Sequence, residues 1–291
     1  MFIFLVIISA LGFALQYAFI TKFVRSWDAL SMSAYRSLSL WLSLLPLLLF
    51  TTQANILAVL DYQVELISAA IAAWFSVWLY FYSMKSLPLG VSYSIRYLTS
   101  VLASLVISWF LFYESISLTT FGFISLGLAW GIYLSIFKVN FTHLESKWFY
   151  TAICWAIISG FMLSLGLMLM SKVARELDPF VAWYFWELEA AIVFVIMLLL
   201  RWIFTWQKVE KISGKDFGKI LLACSPTIVG TWGFALAVLY GPAWVASALS
   251  VVGVIFTTII ATLFFKEHLK LYQYIAILVI IIGIFGIKIS L

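Results

Sequence analysis

Ionisable side chains inside apolar stretches are the residues of this sequence best suited to chemistry. Arg36, Arg96, Glu187 and Glu189 each lie within a stretch predicted to span a membrane. A charged group there is costly and marks a candidate functional site. Arg36 and Arg96 suit a carboxylate or phosphate ligand. The alternatives are that either arginine pairs with a glutamate inside the protein, or that Arg36 extends to the membrane interface.

Glu187 and Glu189 lie two positions apart, which places them on nearly opposite faces of one helix. At most one of them is therefore expected to face a central cavity. Glu187 shares a helical face with Trp183, and a carboxylate beside an indole suits an organic cation. Because burial disfavours a charged carboxylate, Glu187 is also the proton-coupling candidate. A structural pairing with an arginine is the competing interpretation.

Aromatic residues supply further candidates, although most of the 14 Trp are expected in the interfacial belts of a membrane protein. Some aromatic residues lie in mid-span instead and are predicted to line a cavity, which would favour flat, aliphatic or quaternary-ammonium substrates. A glutamine in the first apolar stretch adds a neutral hydrogen-bonding group. The predicted substrate-binding residues are therefore Gln16, Arg36, Trp74, Trp78, Tyr82, Arg96, Trp183, Glu187 and Trp232.

Patterns typical of metal, cofactor or catalytic sites are absent from the sequence. His143 and His268 lie in predicted connections and have no spacing on one helix face that would bind a metal. Cys154 and Cys224 fall in apolar stretches, where packing is the expected role. No nucleophile elbow or glycine-rich phosphate loop occurs. We therefore predict no metal, no cofactor and no catalytic residue.

The composition requires membrane-spanning helices to position these residues. Hydrophobic residues make up 65% of the 291 positions, charged residues only 10%, and the mean hydropathy is +1.14. A soluble protein cannot hold so much apolar surface, so the lipid bilayer is its predicted partner. The fold class predicted is an all-α, multi-pass membrane protein with ten transmembrane helices. The predicted spans are about 2–20, 31–50, 64–84, 88–111, 118–137, 148–171, 180–204, 217–239, 243–265 and 271–289.

The charge of the chain, formally +5, reflects membrane topology and gives no reason to expect nucleic acid as a partner. Most Lys and Arg residues lie in alternate connections, on the side opposite the N-terminus. The positive-inside rule makes that side cytoplasmic and places both termini outside.

Two pairs of matching segments indicate an internal repeat. Residues 22–28 recur as 172–178, with Lys, Arg and Asp at an offset of 150, and residues 112–118 correspond to 265–271 at an offset of 153. An odd number of helices per copy inserts the second copy from the opposite side, so two inverted five-helix repeats are predicted, at 1–140 and 148–291. The alternative is that the matches reflect only the chemistry common to helix ends.

With these features the chain resembles members of the drug/metabolite transporter superfamily, EamA type, which duplicate a five-helix unit. The residues that carry the resemblance are Gly12, Lys22, Arg36, the passage Tyr80–Pro88, and the turns at Glu114 and Glu267. The resemblance implies a transporter, and it places both termini in the cytoplasm, contrary to the charge distribution. The proline that such proteins often carry midway along the fourth helix of each half is absent, and Trp186 replaces Arg36 in the second half.

The function expected is secondary active transport of a small metabolite across the cytoplasmic membrane by alternating access. The substrate is predicted to be amino-acid-like, or an organic cation such as a quaternary amine. A flippase for lipid-linked sugars is the alternative within the superfamily, and an intramembrane enzyme is the remote one. The protein is expected to be a monomer or a homodimer.

Overall fold

A computed structural model describes residues 1–87, 89–114, 116–136, 146–205, 212–265 and 271–290. Every regular element in these ranges is helical. The α-helices are α1 Phe2–Ser26, α2 Ala29–Leu44, α3 Gln53–Ala58, α4 Gln63–Ser86, α5 Leu89–Phe112, α6 Leu118–Ile136, α7 Ser146–Glu176, α8 Pro179–Thr205, α9 Gly214–Cys224, α10 Pro226–Tyr240, α11 Ala243–Leu249, α12 Val252–Phe265 and α13 Leu271–Ser290. Short 3₁₀ helices cover Leu45–Phe50 and Val59–Tyr62.

The helices confirm an all-α membrane protein with several spans. In the described part of the chain, 6 helical segments are long and apolar enough to cross a bilayer. They are Phe2–Thr21, Asn55–Ser86, Val91–Phe112, Phe149–Glu176, Gly214–Tyr240 and Ala243–Ile260. Shorter apolar helices cover Leu118–Gly131 and Tyr274–Ile287. A total of ten spans stays a prediction.

Two of the predicted spans are interrupted helices. The predicted span 217–239 divides where Pro226 opens α10, because proline has no N–H to continue the hydrogen bonding of α9. The hydroxyl of Ser225 donates to the carbonyl of Leu222 at 2.8 Å and satisfies one backbone group at this break. This membrane segment is therefore interrupted at Pro226.

The second interruption separates α11 from α12 and was not predicted. Around it the backbone tightens to 3₁₀ geometry, with the N–H of Gly253 bonded to the carbonyl of Ser250 at 2.8 Å. The ring of Tyr93 from α5 packs directly on Gly253, where any Cβ atom would collide with it. A glycine is therefore needed at this contact.

Packing between the two halves of the chain is reciprocal. Helix α1 packs against α10 and α12, and α7, which opens the second half, packs against α4 and α5. Helix α2 packs against α8, and α6 against α13. The contacts of α1 with the second half thus correspond to the contacts of α7 with the first half, and α2–α8 and α6–α13 are pairs of equivalent helices. This pattern is the one expected of a duplicated helical unit.

Glycines allow the closest of these contacts. A Cβ atom at Gly12 of α1 would lie 2.6 Å from the backbone nitrogen of Gly230 in α10. At Gly160 of α7 it would collide with the backbone carbonyl of Arg96 in α5. Both positions follow the use of small residues where membrane helices approach closely.

Ion pairs close the two ends of the helix bundle. At the end that carries the N-terminus, Lys172 bonds Glu65 and Arg175 bonds Glu114, both at 3.0 Å. Each pair joins residues that the predicted topology assigns to the same side of the membrane. The predicted features Pro88, His143, Glu267 and His268 lie outside the described residues.

At the opposite end, Arg201 of α8 bonds Asp28, the N-cap of α2, at 2.7 Å. Burial acts to raise the pKa of Asp28, but the N–H of Ser31 and the guanidinium of Arg201 outweigh it and hold the pKa below the ordinary value of 3.8. Asp28 is therefore ionised at neutral pH and ties α2 to α8.

Candidate functional site

A cavity lies between the helices of both halves and contains about 570 Å³ of empty space, including the space at its mouth. Its lining comes from α1, α2, α4, α5, α7, α8 and α10. The lining residues are Phe13, Tyr17, Arg36, Ser37, Ala73, Ser76, Val77, Arg96, Tyr97, Leu163, Leu167, Trp183, Trp186, Glu187, Ala190, Phe194 and Thr231. Two arginines and one glutamate are the only charged members.

Arg36 and Glu187 form a pair of opposite charges without direct contact. Arg36 is 6% exposed and Glu187 is 5% exposed, and the Arg36 charge acts electrostatically on the Glu187 carboxyl. Among the residues that the structure describes, neither makes a hydrogen bond or a salt bridge. Because unpaired charges are costly away from water, a partner of opposite charge in the cavity would stabilise either group.

Arg96, only 1% exposed, is held by neutral groups. Its guanidinium donates to the hydroxyl of Tyr17 and to the hydroxyl of Ser76, each at 2.8 Å. It also lies 4.3 Å from the centroid of the Tyr80 ring, a cation–π contact. No carboxylate in the described part of the chain forms a salt bridge with Arg96, so its positive charge acts on the cavity.

Tyrosine rings surround this arginine and fix its position. Tyr17 packs edge-on against Tyr80, with ring centroids 5.0 Å apart. Tyr93 stacks on Tyr97 at 4.3 Å, and Tyr17 contacts Tyr93 at 5.9 Å. These are preferred geometries for aromatic pairs. The cluster joins α1, α4 and α5, so the position of Arg96 depends on how these three helices pack.

Hydrogen-bond donors outnumber acceptors at the cavity wall. The buried indole nitrogens of Trp183 and Trp186 have no acceptor among the described residues, and the Nε atoms of Arg36 and Arg96 have none either. The rings of Trp183 and Trp186 pack together with centroids 4.5 Å apart. A buried donor without a partner costs free energy. The lining therefore favours a ligand rich in acceptors, such as a carboxylate.

Four of the nine predicted binding residues line this cavity: Arg36, Arg96, Trp183 and Glu187. Glu187 lines the cavity, whereas Glu189 does not; Glu189 is half-buried on the face of α8 that also carries the exposed Ile192 and Ile196. This agrees with the prediction that at most one of the two carboxylates faces inward. Whether the four residues bind substrate stays a prediction.

The other predicted residues lie elsewhere. Trp74 stacks on Trp78 at 5.4 Å and contacts the lining residue Phe194 at 6.4 Å, so it supports the cavity wall from behind. Trp78 in turn contacts Tyr82 at 5.6 Å. This aromatic row therefore continues away from the cavity.

Gln16 and Trp232 also lie outside the lining. Gln16 is fully buried, and neither polar atom of its amide has a hydrogen-bond partner among the described residues. The amide lies near the Cys224 thiol. Trp232 is 42% exposed on the outer surface of α10. The expectation that Trp232 lines the cavity is wrong, because the glycines beside it, Gly230 and Gly233, pack against α1 and turn the indole outward.

Several lining residues were not predicted from the sequence. Tyr17, Tyr97, Trp186 and Ser37 are neutral side chains in strongly apolar stretches. The signal that could have found Tyr17 is its helical spacing from Phe13, since positions i and i+4 share a face. In the described part of the chain no group of three or more His, Cys, Asp or Glu could hold a metal ion.

Comparisons with known proteins give the same fold and a family. A crystal structure covers 97% of this chain and 96% of its own with a TM-score of 0.72 at 14% identity, a level that shows the fold alone. A search of curated proteins finds no match in sequence. The EamA-like transporter family matches residues 1–139 and 150–289, one match in each half. The chain belongs to the EamA-like transporter family and is a multi-pass membrane protein of the drug/metabolite transporter type.

Proposed function

We propose that this protein is a secondary transporter that binds small, amino-acid-like carboxylates in the central cavity. The observation that carries the proposal is the pair Arg36 and Glu187, two buried opposite charges without partners in the described structure. In this proposal the ligand carboxylate binds Arg36 and its ammonium group binds Glu187.

Charge balance supports a ligand of this kind. A guanidinium offers two parallel N–H donors to a carboxylate, and such charge-assisted bonds are the strong ones. The carboxylate of Glu187 is an acceptor for an ammonium group. A dipolar ligand thus satisfies both charges at once, whereas a neutral ligand satisfies neither fully. Pairing both groups removes a large part of the cost of keeping them in the membrane.

Arg96 supports the carboxylate end of the ligand. With Glu187 ionised, the lining has an excess of one positive charge, because two arginines face one carboxylate. The indole N–H groups of Trp183 and Trp186, which have no acceptor among the described residues, add donors to the lining. The apolar residues Leu163, Leu167 and others leave room for an uncharged side chain.

The arrangement of the halves supports alternating access. The cavity lies between them, and rocking one half against the other would expose it to each side in turn. The Arg175–Glu114 pair supports this mechanism, since it ties α7 to the end of α5 on the N-terminal side. Arg175 also donates to the carbonyls of Val238 and Gly241. Opening toward that side would have to break this network. The cytoplasmic membrane is the proposed location.

An organic cation is the second candidate substrate. Trp183 lies on the same helical face as Glu187 and lines the same cavity, and an indole face beside a carboxylate attracts a quaternary ammonium group. This candidate leaves Arg36 without a partner in the ligand, and the positive excess of the lining opposes it.

Binding measurements separate the two candidates. Thermal unfolding of the purified protein is followed with a panel of amino acids and with choline, because a ligand of the folded state raises the apparent stability. The proposal predicts that at least one amino acid raises the unfolding temperature of the wild type and that this increase is lost in Arg36→Gln. If choline alone raises the unfolding temperature, and this increase is lost in Glu187→Gln but kept in Arg36→Gln, the result would support the cation candidate. Glu189→Gln, on the same helix but outside the lining, is the matched control.

A further inference from the structure

Among the described residues Glu187 is the only carboxylate that lines the central cavity, and Arg36 is the cation whose charge acts on it. The two arginines differ in this respect. Arg96 is already hydrogen-bonded to Tyr17 and Ser76, whereas Arg36 has no hydrogen-bond partner among the described residues. A ligand carboxylate is therefore expected to bind Arg36 first. This binding places a negative charge beside Arg36 and so changes the electrostatic surroundings of Glu187.

We propose that Glu187 accepts either the ammonium group of an amino acid or a proton, so that carboxylic acids without an amino group are carried together with a proton. This inference rests on the proposed function and extends it to a second class of substrate. It assigns Glu187 as the residue that couples transport of that class to protons.

The reasoning begins with the occupied site. When an amino acid binds, its carboxylate lies on Arg36 and its ammonium group on Glu187, so each charge has a partner. When the corresponding deamino acid binds, the carboxylate engages Arg36 but nothing replaces the ammonium group. Glu187, which is 5% exposed, is then an anion beside another anion. Such a group is expected to neutralise itself by taking up a proton.

The other charged and titratable groups around Glu187 do not remove this need. Arg36 comes from α2, Cys224 from α9, and Arg96 and Tyr97 from α5, while Tyr17 comes from α1. The residues that α4, α7 and α10 contribute to the lining are uncharged. Arg96 lies in a cage of tyrosine rings and already donates two hydrogen bonds. Once Arg36 binds the ligand, Arg96 is the remaining cation of the lining, and Arg96 is not among the charges that act on Glu187.

The proton balance of the cycle is simple. A proton from the aqueous side to which the cavity is open binds one carboxylate oxygen of Glu187 as the ligand anion enters. It leaves from the other side when the ligand departs and Arg36 again faces Glu187. A monocarboxylate anion with a proton and a dipolar amino acid both have no net charge. The charge of the occupied cavity is therefore the same for both classes of substrate.

Proton uptake on binding tests the inference directly. Purified protein in weak buffer with a pH indicator, near pH 7, is mixed with leucine, phenylalanine or alanine, and with the matching deamino acids 4-methylpentanoate, 3-phenylpropionate and propionate. Binding of each compound is measured in parallel by calorimetry. We expect about one proton taken up per deamino acid bound, and close to none per amino acid.

Equal proton uptake for both members of a pair that binds, or none for either, would overturn the inference and leave the proposed function standing. Binding of amino acids without binding of any deamino acid would also overturn it. If no compound of either class binds, the proposed function fails and the inference with it.

Two variants of α8 complete the test. Glu187→Gln should bind deamino acids without proton uptake and should bind amino acids about 10- to 100-fold more weakly, because a charge-assisted hydrogen bond is lost. Glu189→Gln, outside the lining, should keep the wild-type affinities and proton uptake. Proton uptake that persists in Glu187→Gln would show that another group titrates and would refute the assignment.

Discussion

Replacing Arg36 by glutamine separates a ligand-binding arginine from a structural one. In the described structure Arg36 makes no hydrogen bond and is 6% exposed. Its removal therefore breaks no hydrogen bond of the empty protein and deletes a buried charge whose desolvation is costly, and the only interaction lost with Glu187 is an electrostatic one without direct contact. We expect the thermal stability of Arg36→Gln without ligand to equal or exceed that of the wild type.

Ligand binding should respond in the opposite way. Losing a bidentate guanidinium–carboxylate contact in a desolvated site costs about 2–4 kcal/mol of binding free energy. This corresponds to an affinity for an amino acid about 30- to 1,000-fold weaker. Calorimetry on the purified protein measures the affinity, and tryptophan fluorescence during heating measures the stability, since the chain contains 14 Trp.

Arg96→Gln is the matched comparison. Its removal leaves the hydroxyls of Tyr17 and Ser76 without their donor and deletes the cation–π contact with Tyr80. Each buried group left unpaired costs about 1–3 kcal/mol, so the stability without ligand should fall clearly. The reasoning is refuted if Arg36→Gln destabilises the empty protein as much as Arg96→Gln does, or if it leaves amino-acid affinity unchanged.

Three further variants test the bundle itself. Arg175→Ala removes the contact with Glu114 on the N-terminal side. It should speed the labelling of a cysteine introduced at the lining residue Ser37 by an impermeant reagent added on that side; unchanged labelling would argue against a closing role. Gly12→Leu should lower the melting temperature by several degrees, because its side chain meets α10 within 2.6 Å, whereas Gly122→Leu, with open space around it, should not. Asp28 has a lowered pKa, so its stabilising effect is complete above about pH 4 and is lost as the pH falls through its folded-state pKa. In Asp28→Asn, the free energy of unfolding should therefore depend less on pH in the acid range. An unchanged pH profile of unfolding would contradict this role of Asp28.

The general fold could be predicted because hydropathy and repeated helix ends are local signals. The matching of segment 22–28 with 172–178 predicts two related halves, and the reciprocal packing of α1 and α7 on the opposite halves agrees with it. The break between α11 and α12 had no such signal. No proline lies there, and the close contact between Tyr93 and Gly253 at the tightened turn is visible only in the tertiary structure.

The candidate site could be predicted only where charge made a residue conspicuous. Arg36, Arg96 and Glu187 stand out because charged groups are rare inside a membrane. Tyr97 and Trp186 do not, because an aromatic residue in an apolar stretch suits a belt, a core or a cavity equally well. Trp232 was misplaced for a related reason. Helix α10 is apolar on all sides, so periodicity does not indicate which face points inward.

Exchange across a membrane tests the central claim most directly. Proteoliposomes loaded with an unlabelled amino acid from the panel are diluted into the same amino acid in labelled form, alongside matched vesicles that contain choline. The account predicts transient accumulation of label by the wild type, retained in Glu189→Gln and strongly reduced in Arg36→Gln and Glu187→Gln. Exchange of choline without exchange of any amino acid would contradict it.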